Sequence, residues 1–417
     1  MQLTVLRSKI SGNVVAPPSK SYAQRALAGA LMAKGTTIVR NPSRSEDAKA
    51  ALGIIRQLGA TVDDRGDHLI IKGGFNPVGQ KLECGEAGLS LRMFSPLAAL
   101  SDRTMLMNGT GSLLKRPVQM ITDCLNQLGC RCQSQDGYLP VWIRGPLKSG
   151  RAVIDGSVSS QLLTGMLLAL PVVKGDSEVF VANLQSRPYI DMTINILKQF
   201  GITVEHHEYE TFQISGKQKY RPATLTVEGD WSGAAFLLVA GALAGEITVS
   251  GLQPDSFQAD RQVLKALGYA GAQIEVGENQ ITVSRKELRA FDFDATHCPD
   301  LFPPLVALAA HCNGVSRIEG VGRLIHKESN RAKVLQEEFY KLGISMRVEN
   351  GNLYVTGPSL MKTGEVDTHG DHRIAMAAAT VAMISRTPVR INGAECVAKS
   401  YPEYFRDIKS VGGRIDE

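Results

Sequence analysis

Gln57-Leu58-Gly59-Ala60 closes a helical stretch, and near-copies return as Gln127-Leu128-Gly129-Cys130, Gln199-Phe200-Gly201-Ile202, Ala266-Leu267-Gly268-Tyr269 and Lys341-Leu342-Gly343-Ile344. A degenerate sixth copy, Ser410-Val411-Gly412-Gly413, stands near the end of the chain. The turn glycines recur at intervals of about 70 residues, longer than the period of ordinary solenoids. Six such units could close into a six-part ring, form two domains of three units, or stack as a scaffold. Repetition alone does not choose among these.

Working outward from the turn, every unit reads in the same order. It begins with a stretch of Ala, Leu, Gly and Ser that is apolar nearly all round: 22–33, 90–100, 161–170, 234–244, 301–310 and 374–384. A helix of that composition belongs inside a domain. A short β-branched run follows, as in Gly35-Thr36-Thr37-Ile38-Val39 or Gly245-Glu246-Ile247-Thr248-Val249, and reads as a strand. The second helix is amphipathic. In the first unit Ser45 suits the N-cap, Glu46 and Asp47 favour the first turn, and Leu52, Ile55 and Leu58 form the apolar stripe. A hairpin closes the unit, with Asp63-Asp64-Arg65-Gly66 as its turn and 68–72 as the return strand. Each unit is therefore βαβαββ-like, and the fold class is α/β.

Composition bounds the partners. The chain has 417 residues, 43% hydrophobic and 21% charged, enough for two domains of about 200 residues each. Its longest apolar runs, 162–173 and 234–244, fall short of the roughly 20 residues a membrane span needs. The first residues lack a basic segment followed by an apolar core, so a cytoplasmic location is expected. Seven cysteines (84, 124, 130, 132, 298, 312, 396) show no paired spacing, and no metal-ligand pattern appears among the histidines. His206-His207 reads as an exposed pair ahead of an acidic strand. A net charge of +5 with scattered Lys and Arg argues against a nucleic-acid surface and leaves small anions as partners. No cofactor motif is complete.

The polar exceptions gather where the buried helices begin, and helix N-termini offer free N–H groups and a positive dipole end to anions. They are Lys20, Ser21 and Arg25; Arg92; Ser159-Ser160-Gln161; and Asp371-His372-Arg373. A single Lys or Arg there is an ordinary solvated cap. Four comparable positions weaken that reading.

Taken in order, Pro18-Ser19-Lys20-Ser21 with Arg25, Gly85-Glu86-Ala87-Gly88 with Arg92, Lys115-Arg116-Pro117, Ser159-Ser160-Gln161, Lys327-Glu328-Ser329-Asn330-Arg331, Asp371-His372-Arg373 and Ala398-Lys399-Ser400 resemble the motifs of the EPSP synthase family across nearly the whole chain. The resemblance implies two domains, each an inverted α/β arrangement of three repeats: residues 1–14 with 229–417, and 15–228. Crossings are expected near 11–20 and 227–230, with the substrates held in a closing cleft. It implies transfer of the enolpyruvyl group of phosphoenolpyruvate to the 5-hydroxyl of shikimate 3-phosphate, by addition and then elimination of phosphate, in a monomer without cofactor or metal.

Carried over motif by motif, Lys20, Ser21, Arg25, Ser159, Ser160, Gln161, Ser186, Tyr189, Asp300 and Lys327 surround shikimate 3-phosphate, with Arg25 suited to its carboxylate. Lys20, Gly88, Arg116, Gln161, Arg331, Arg373 and Lys399 hold phosphoenolpyruvate. The resemblance assigns base and acid to Asp300 and Glu328, with Lys20 nearby as a third catalytic group. Lys327, adjacent in sequence, is expected to keep Glu328 ionised unless burial opposes it. His372 either donates a proton or positions Asp371.

Three residues depart from the family pattern. Glu86 stands where Asn is usual, Leu89 where Thr is common, and Asn330 where Asp is usual. Glu86 points away, pairs with an arginine, or alters anion affinity; Asn330 is expected to leave Arg331 less neutralised. Rival readings are a UDP-N-acetylglucosamine enolpyruvyltransferase, whose loop cysteine has no counterpart in 108–116, an RNA 3'-phosphate cyclase, and a non-enzymatic repeat scaffold.

Overall fold

The structure, a computed structural model, describes residues 1–325 and 327–417. Its strands form six four-stranded sheets of a single pattern. Lys81–Glu83, for example, lies parallel to Thr104–Asn108, which pairs antiparallel with Tyr138–Arg144, and Arg131–Gln135 takes the far edge. The parallel pair needs a crossover, and the buried helix Gly88–Ala98 supplies it.

The chain divides into two compact units, Met1–Ser19 with Glu228–Glu417, and Lys20–Val227. Three sheets are completed out of chain order: one takes Gln2–Leu6 between Val389–Asn392 and Arg414–Asp416, and the other two use strands at the crossings between the units. Ile10–Val15 precedes the helix Lys20–Met32 but pairs with Gly245–Ser250. Thr224–Thr226 precedes the helix Trp231–Ala244 but pairs with Gly35–Arg40. Each crossing strand thus stays in the unit that the chain is leaving. Residues 15–19, beyond the boundary expected after residue 14, are kept with the first unit by backbone bonds. Ala16 N–H donates to the Ser250 carbonyl at 2.9 Å, Asp230 N–H to Pro17 at 2.7 Å and Ser19 N–H to Glu228 at 2.8 Å.

Within each unit three buried helices are surrounded by sheets and three amphipathic helices. Gly88–Ala98, Phe302–Ala309 and His372–Ala382 are buried at every residue, as a composition apolar on all sides requires. Packing is tight enough that a Cβ on Gly165 would come within 2.5 Å of the Met93 carbonyl oxygen of the neighbouring helix. The second helix of the first unit is capped as its sequence suggests, with Ser45 Oγ accepting from the Ala48 N–H at 3.3 Å. Its buried stripe includes Leu52 and Ile55. His206 and His207 lie within a short exposed strand, Glu205–His207, rather than ahead of one.

Some buried helices begin earlier than their apolar pattern does, although the one expected from residue 301 begins at Phe302. The first starts at Lys20 rather than residue 22, and the last buried one at His372 rather than residue 374. Polar first-turn residues already hold helical backbone, so they sit where the free N–H groups are. None of the helices among the described residues is long and apolar enough to cross a membrane.

Candidate active site

In the unit Lys20–Val227 three buried helices, Lys20–Met32, Gly88–Ala98 and Gln161–Ala169, present their first turns side by side. Gln24 Nε2 donates to Ser90 Oγ at 3.2 Å, and Arg92 Nη1 to Gln161 Oε1 at 3.2 Å. Lys20 Nζ reaches Asp47 Oδ2 at 2.8 Å, and Gln24 also donates to the Asp47 carbonyl. A Cβ placed on Gly88 would lie 2.6 Å from Arg116 Nη1, 3.0 Å from Arg92 Nη1 and 3.6 Å from Gln161 Oε1. Two guanidinium groups and an amide therefore converge on the open N-terminus of one helix. That is the local chemistry of an anion site.

Two other expected residues, Ser21 and Tyr189, meet Arg25, which is 2% exposed, together with Thr164 and Thr193. Its Nε donates to Thr193 Oγ1 at 2.9 Å and its Nη1 to the Ser21 carbonyl at 2.8 Å. Its Nη2 lies 3.4 Å from both Thr164 Oγ1 and the Tyr189 carbonyl. Burial draws this guanidinium down to about 10, with Tyr189 opposing. A carboxylate reaching Arg25 must share donors already given to protein acceptors. Ser159 Oγ accepts from the Gln161 N–H at 3.1 Å, and Ser160 is buried at the helix start. Ser186 holds a left-handed backbone (φ 56) as the N-cap of Arg187–Gln199.

In the other unit a charge network joins three segments. Asp300 lies in the 3-10 turn Pro299–Leu301, Lys327 and Glu328 precede the helix Arg331–Lys341, and Asp371 caps His372–Ala382. Arg331, 0% exposed, is its hub. Its Nε donates to Asp371 Oδ2 at 2.9 Å, its Nη1 to Asp300 Oδ1 at 2.9 Å, and its Nη2 to Glu328 and to Asp371 Oδ1. Asp371 also accepts from Ser329 Oγ at 3.1 Å and from the Arg373 N–H at 3.0 Å. Burial lowers the Arg331 pKa, but Asp371, Glu328 and Asp300 outweigh it and hold the guanidinium above its ordinary value.

Asp300 receives Lys327 Nζ at 3.1 Å and Arg373 Nη2 at 3.2 Å as well. Burial works to raise its pKa; Arg373, Lys327 and Arg331 together outweigh that and hold the carboxyl well below the usual range. Burial draws the Lys327 ammonium down, partly offset by Asp300. Arg373 is nearly enclosed, and among the described residues its Nη1 has no hydrogen-bond partner. Lys399 Nζ donates to the Gly370 carbonyl at 2.6 Å, beside the Asp371 cap.

Two of the three departures, Glu86 and Asn330, resolve in physical terms. Glu86 Oε2 accepts from both the N–H and the hydroxyl of Ser112 at 2.9 Å, bracing the 3-10 turn Gly111–Lys115 that leads to Arg116. Asn330 caps Arg331–Lys341 through the Lys333 N–H at 3.3 Å. Contrary to expectation, Arg331 does not lack neutralisation, because three carboxylates from other positions surround it. In sequence, Asp371 and Arg92 stand among the polar exceptions and within the family motifs without a ligand role of their own, and Asp47 only favours a helix start. Asp371 and Arg92 were visible as charges on otherwise apolar helices; nothing local marks Asp47 as the partner of Lys20.

A family model described as "EPSP synthase (3-phosphoshikimate 1-carboxyvinyltransferase)" matches residues 6–408. The chain is 39% identical over 413 residues to the 3-phosphoshikimate 1-carboxyvinyltransferase of Clostridium kluyveri, covering 98% of this chain and 97% of that one. With the enzyme of the same name from Methanocorpusculum labreanum it shares 38% over 422 residues, covering all of both. Among solved structures, EPSP synthase from Acinetobacter baumannii superposes with a TM-score of 0.84 at 25% identity, covering 100% of this chain and 99% of that one.

Proposed function

This chain belongs to the EPSP synthase (3-phosphoshikimate 1-carboxyvinyltransferase) family, and from that premise we propose that it transfers the enolpyruvyl group of phosphoenolpyruvate to the 5-hydroxyl of shikimate 3-phosphate, releasing phosphate. The observation that carries the assignment of roles is Asp300, a carboxylate kept ionised by Lys327, Arg331 and Arg373 with Glu328 on the same arginine.

An ionised Asp300 accepts a hydrogen bond from the 5-hydroxyl and orients its oxygen toward C2 of phosphoenolpyruvate. Because its basicity is low, the proton moves to it only as that oxygen gains positive charge in the addition. Glu328 supplies a proton to C3, so it must enter the step protonated. A substrate carboxylate competing for Arg331 loosens the Arg331–Glu328 pair and permits this. The tetrahedral intermediate then collapses: C3 returns its proton, the C2–O bond to phosphate breaks, and the enol ether remains. Lys20 and Lys327 meet the growing negative charge.

In this reading Lys20, Ser21, Arg25, Ser159, Ser160, Gln161, Ser186, Tyr189, Asp300 and Lys327 hold shikimate 3-phosphate. Lys20, Gly88, Arg116, Gln161, Arg331, Arg373 and Lys399 hold phosphoenolpyruvate. Hydroxyls and helix N–H groups suit a phosphate, and the Arg373 Nη1 donor suits a carboxylate. Release of inorganic phosphate from the two substrates together, and from neither alone, tests the reaction. No release from the pair ends the proposal.

Gly88→Ala tests the partition of the site. The added methyl would displace the Arg116 guanidinium, a flexible group that can move without unfolding the helix. The KM for phosphoenolpyruvate should rise by about tenfold or more, the loss of one charge-assisted contact of roughly 1.5–3 kcal/mol, with shikimate 3-phosphate affinity nearly unchanged. Equal losses for both substrates would undo the partition.

A further inference from the structure

Asp260 has no place in the reaction so far. It lies in the 3-10 turn Ala259–Gln262, and none of it reaches solvent. Its Oδ2 is bonded to the hydroxyl of Ser232, at the start of the helix Trp231–Ala244. Its Oδ1 has no hydrogen-bond partner among the described residues. A carboxylate taken out of water with one hydroxyl as company disfavours its charged form strongly.

The surroundings sharpen this. Asp300 and Asp230 bear on Asp260 as like charges, Arg373 bears on it as the opposing cation, and the Cys298 thiol, pushed up by burial, lies in the same field. Burial and Asp300 push the Asp260 carboxyl up to about 7, against Arg373 and Ser232. Arg373 in turn feels Asp300, Arg331, Asp260 and Glu328. Among the described residues the buried Arg373 Nη1 donor has no hydrogen-bond partner.

We propose that Asp260 is a positioning residue that gates Arg373. Protonated, it leaves Arg373 Nη1 to the carboxylate of phosphoenolpyruvate; ionised, it competes with that anion for the same guanidinium. The proposal rests on the reading of Arg373 as a phosphoenolpyruvate ligand. It deepens that reading by making the affinity depend on a proton held outside the reacting groups.

The test compares the full-length wild type with Asp260→Asn, which keeps the shape and cannot ionise. The wild-type KM for phosphoenolpyruvate should rise about tenfold from pH 6 to pH 8 as Asp260 loses its proton, while kcat moves little. Asp260→Asn should keep the low-pH KM throughout. Ionisation of the substrate phosphate is common to both proteins and cancels in their ratio. A KM ratio that does not change with pH, or a KM raised equally at every pH in Asp260→Asn, overturns the gate.

A second readout needs no turnover. A carboxyl whose pKa is raised on folding loses stability as pH climbs from its unfolded value near 4 through its folded value. The Tm of Asp260→Asn relative to wild type should therefore increase between pH 5 and pH 8; a constant difference overturns the protonated state. Should Asp260→Asn fail to fold, Ser232→Ala removes the hydroxyl that favours the ionised form and should shift the KM transition to higher pH. An unshifted midpoint counts against the gate. Arg373→Ala separates the two failures. If it leaves the KM for phosphoenolpyruvate unchanged, the gate falls together with the assignment of Arg373. If it raises that KM while the Asp260→Asn ratio stays flat, the gate alone falls.

Discussion

Replacing Asp300 with Asn, or Glu328 with Gln, should lower turnover by roughly 10²- to 10⁴-fold, the usual contribution of a positioned acid or base. Both changes keep size and much of the hydrogen bonding while removing the capacity to carry a proton. Substrate dissociation constants should change less than turnover. The two variants are not equivalent in their effect on the network. Asp300 is paired with Lys327, Arg331 and Arg373, so Asp300→Asn leaves excess positive charge and should tighten anion binding slightly. Glu328→Gln leaves Asp300 and Asp371 to balance Arg331 and should be closer to neutral for binding. Single-turnover measurement at saturating substrates separates chemistry from binding. Near-normal turnover in either variant removes that residue as a proton carrier and moves attention to Lys20, Lys327 or His372, which is 1% exposed at the start of its helix.

Arg331→Ala should have the largest effect on stability. The side chain is fully enclosed and joins three carboxylates, so its removal leaves buried negative charges facing one another without their shared cation. Breaking a buried pair in this way costs about 3–5 kcal/mol. The loss should depend on pH with a defined sign. In the wild type the Asp300 pKa is held low, so its contribution is present above the unfolded value near 4 and is lost as pH falls through the folded value. In Arg331→Ala much of that contribution is absent, and protonating the remaining carboxylates relieves their repulsion. The Tm gap between the two proteins should be widest near neutral pH and narrow below about pH 5. A gap independent of pH would mean that Arg331 acts by packing rather than by charge.

The same network shows how much of the site is legible in the sequence. Lys20, Arg92, Gln161, Asp371 and Arg373 stand out in sequence because each interrupts an apolar helix at its first turns, and a charge there conflicts with burial unless something answers it. What answers it is non-local. Lys20 is met by Asp47 on the following helix, and Arg92 by Gln161 from the next repeat. Arg331 is met by Asp300 from the start of the buried helix of its own repeat and by Asp371 from the next repeat. Asn330 was expected to weaken the neutralisation of Arg331 on the strength of adjacency, yet its side chain caps the helix instead. Glu86 left three readings open in sequence, and its bond to Ser112 adds a contact that none of them named.

The sequence by itself determined the sixfold repeat, the alternation of buried and amphipathic helices, the Ser45 cap and the gathering of polar residues at helix starts. All of these rest on periodicity and on interactions within a few residues, which a linear reading contains. Only the tertiary structure decided that Ile10–Val15 pairs with Gly245–Ser250 and Thr224–Thr226 with Gly35–Arg40, because a strand carries its apolar alternation but no label for its partner. It alone decided, too, that Asp260, unremarkable in its turn, is enclosed within the electrostatic field of Asp300 and Arg373. The charge state of a buried group is set by desolvation and by neighbours brought from distant positions, and neither is written in the residues next to it.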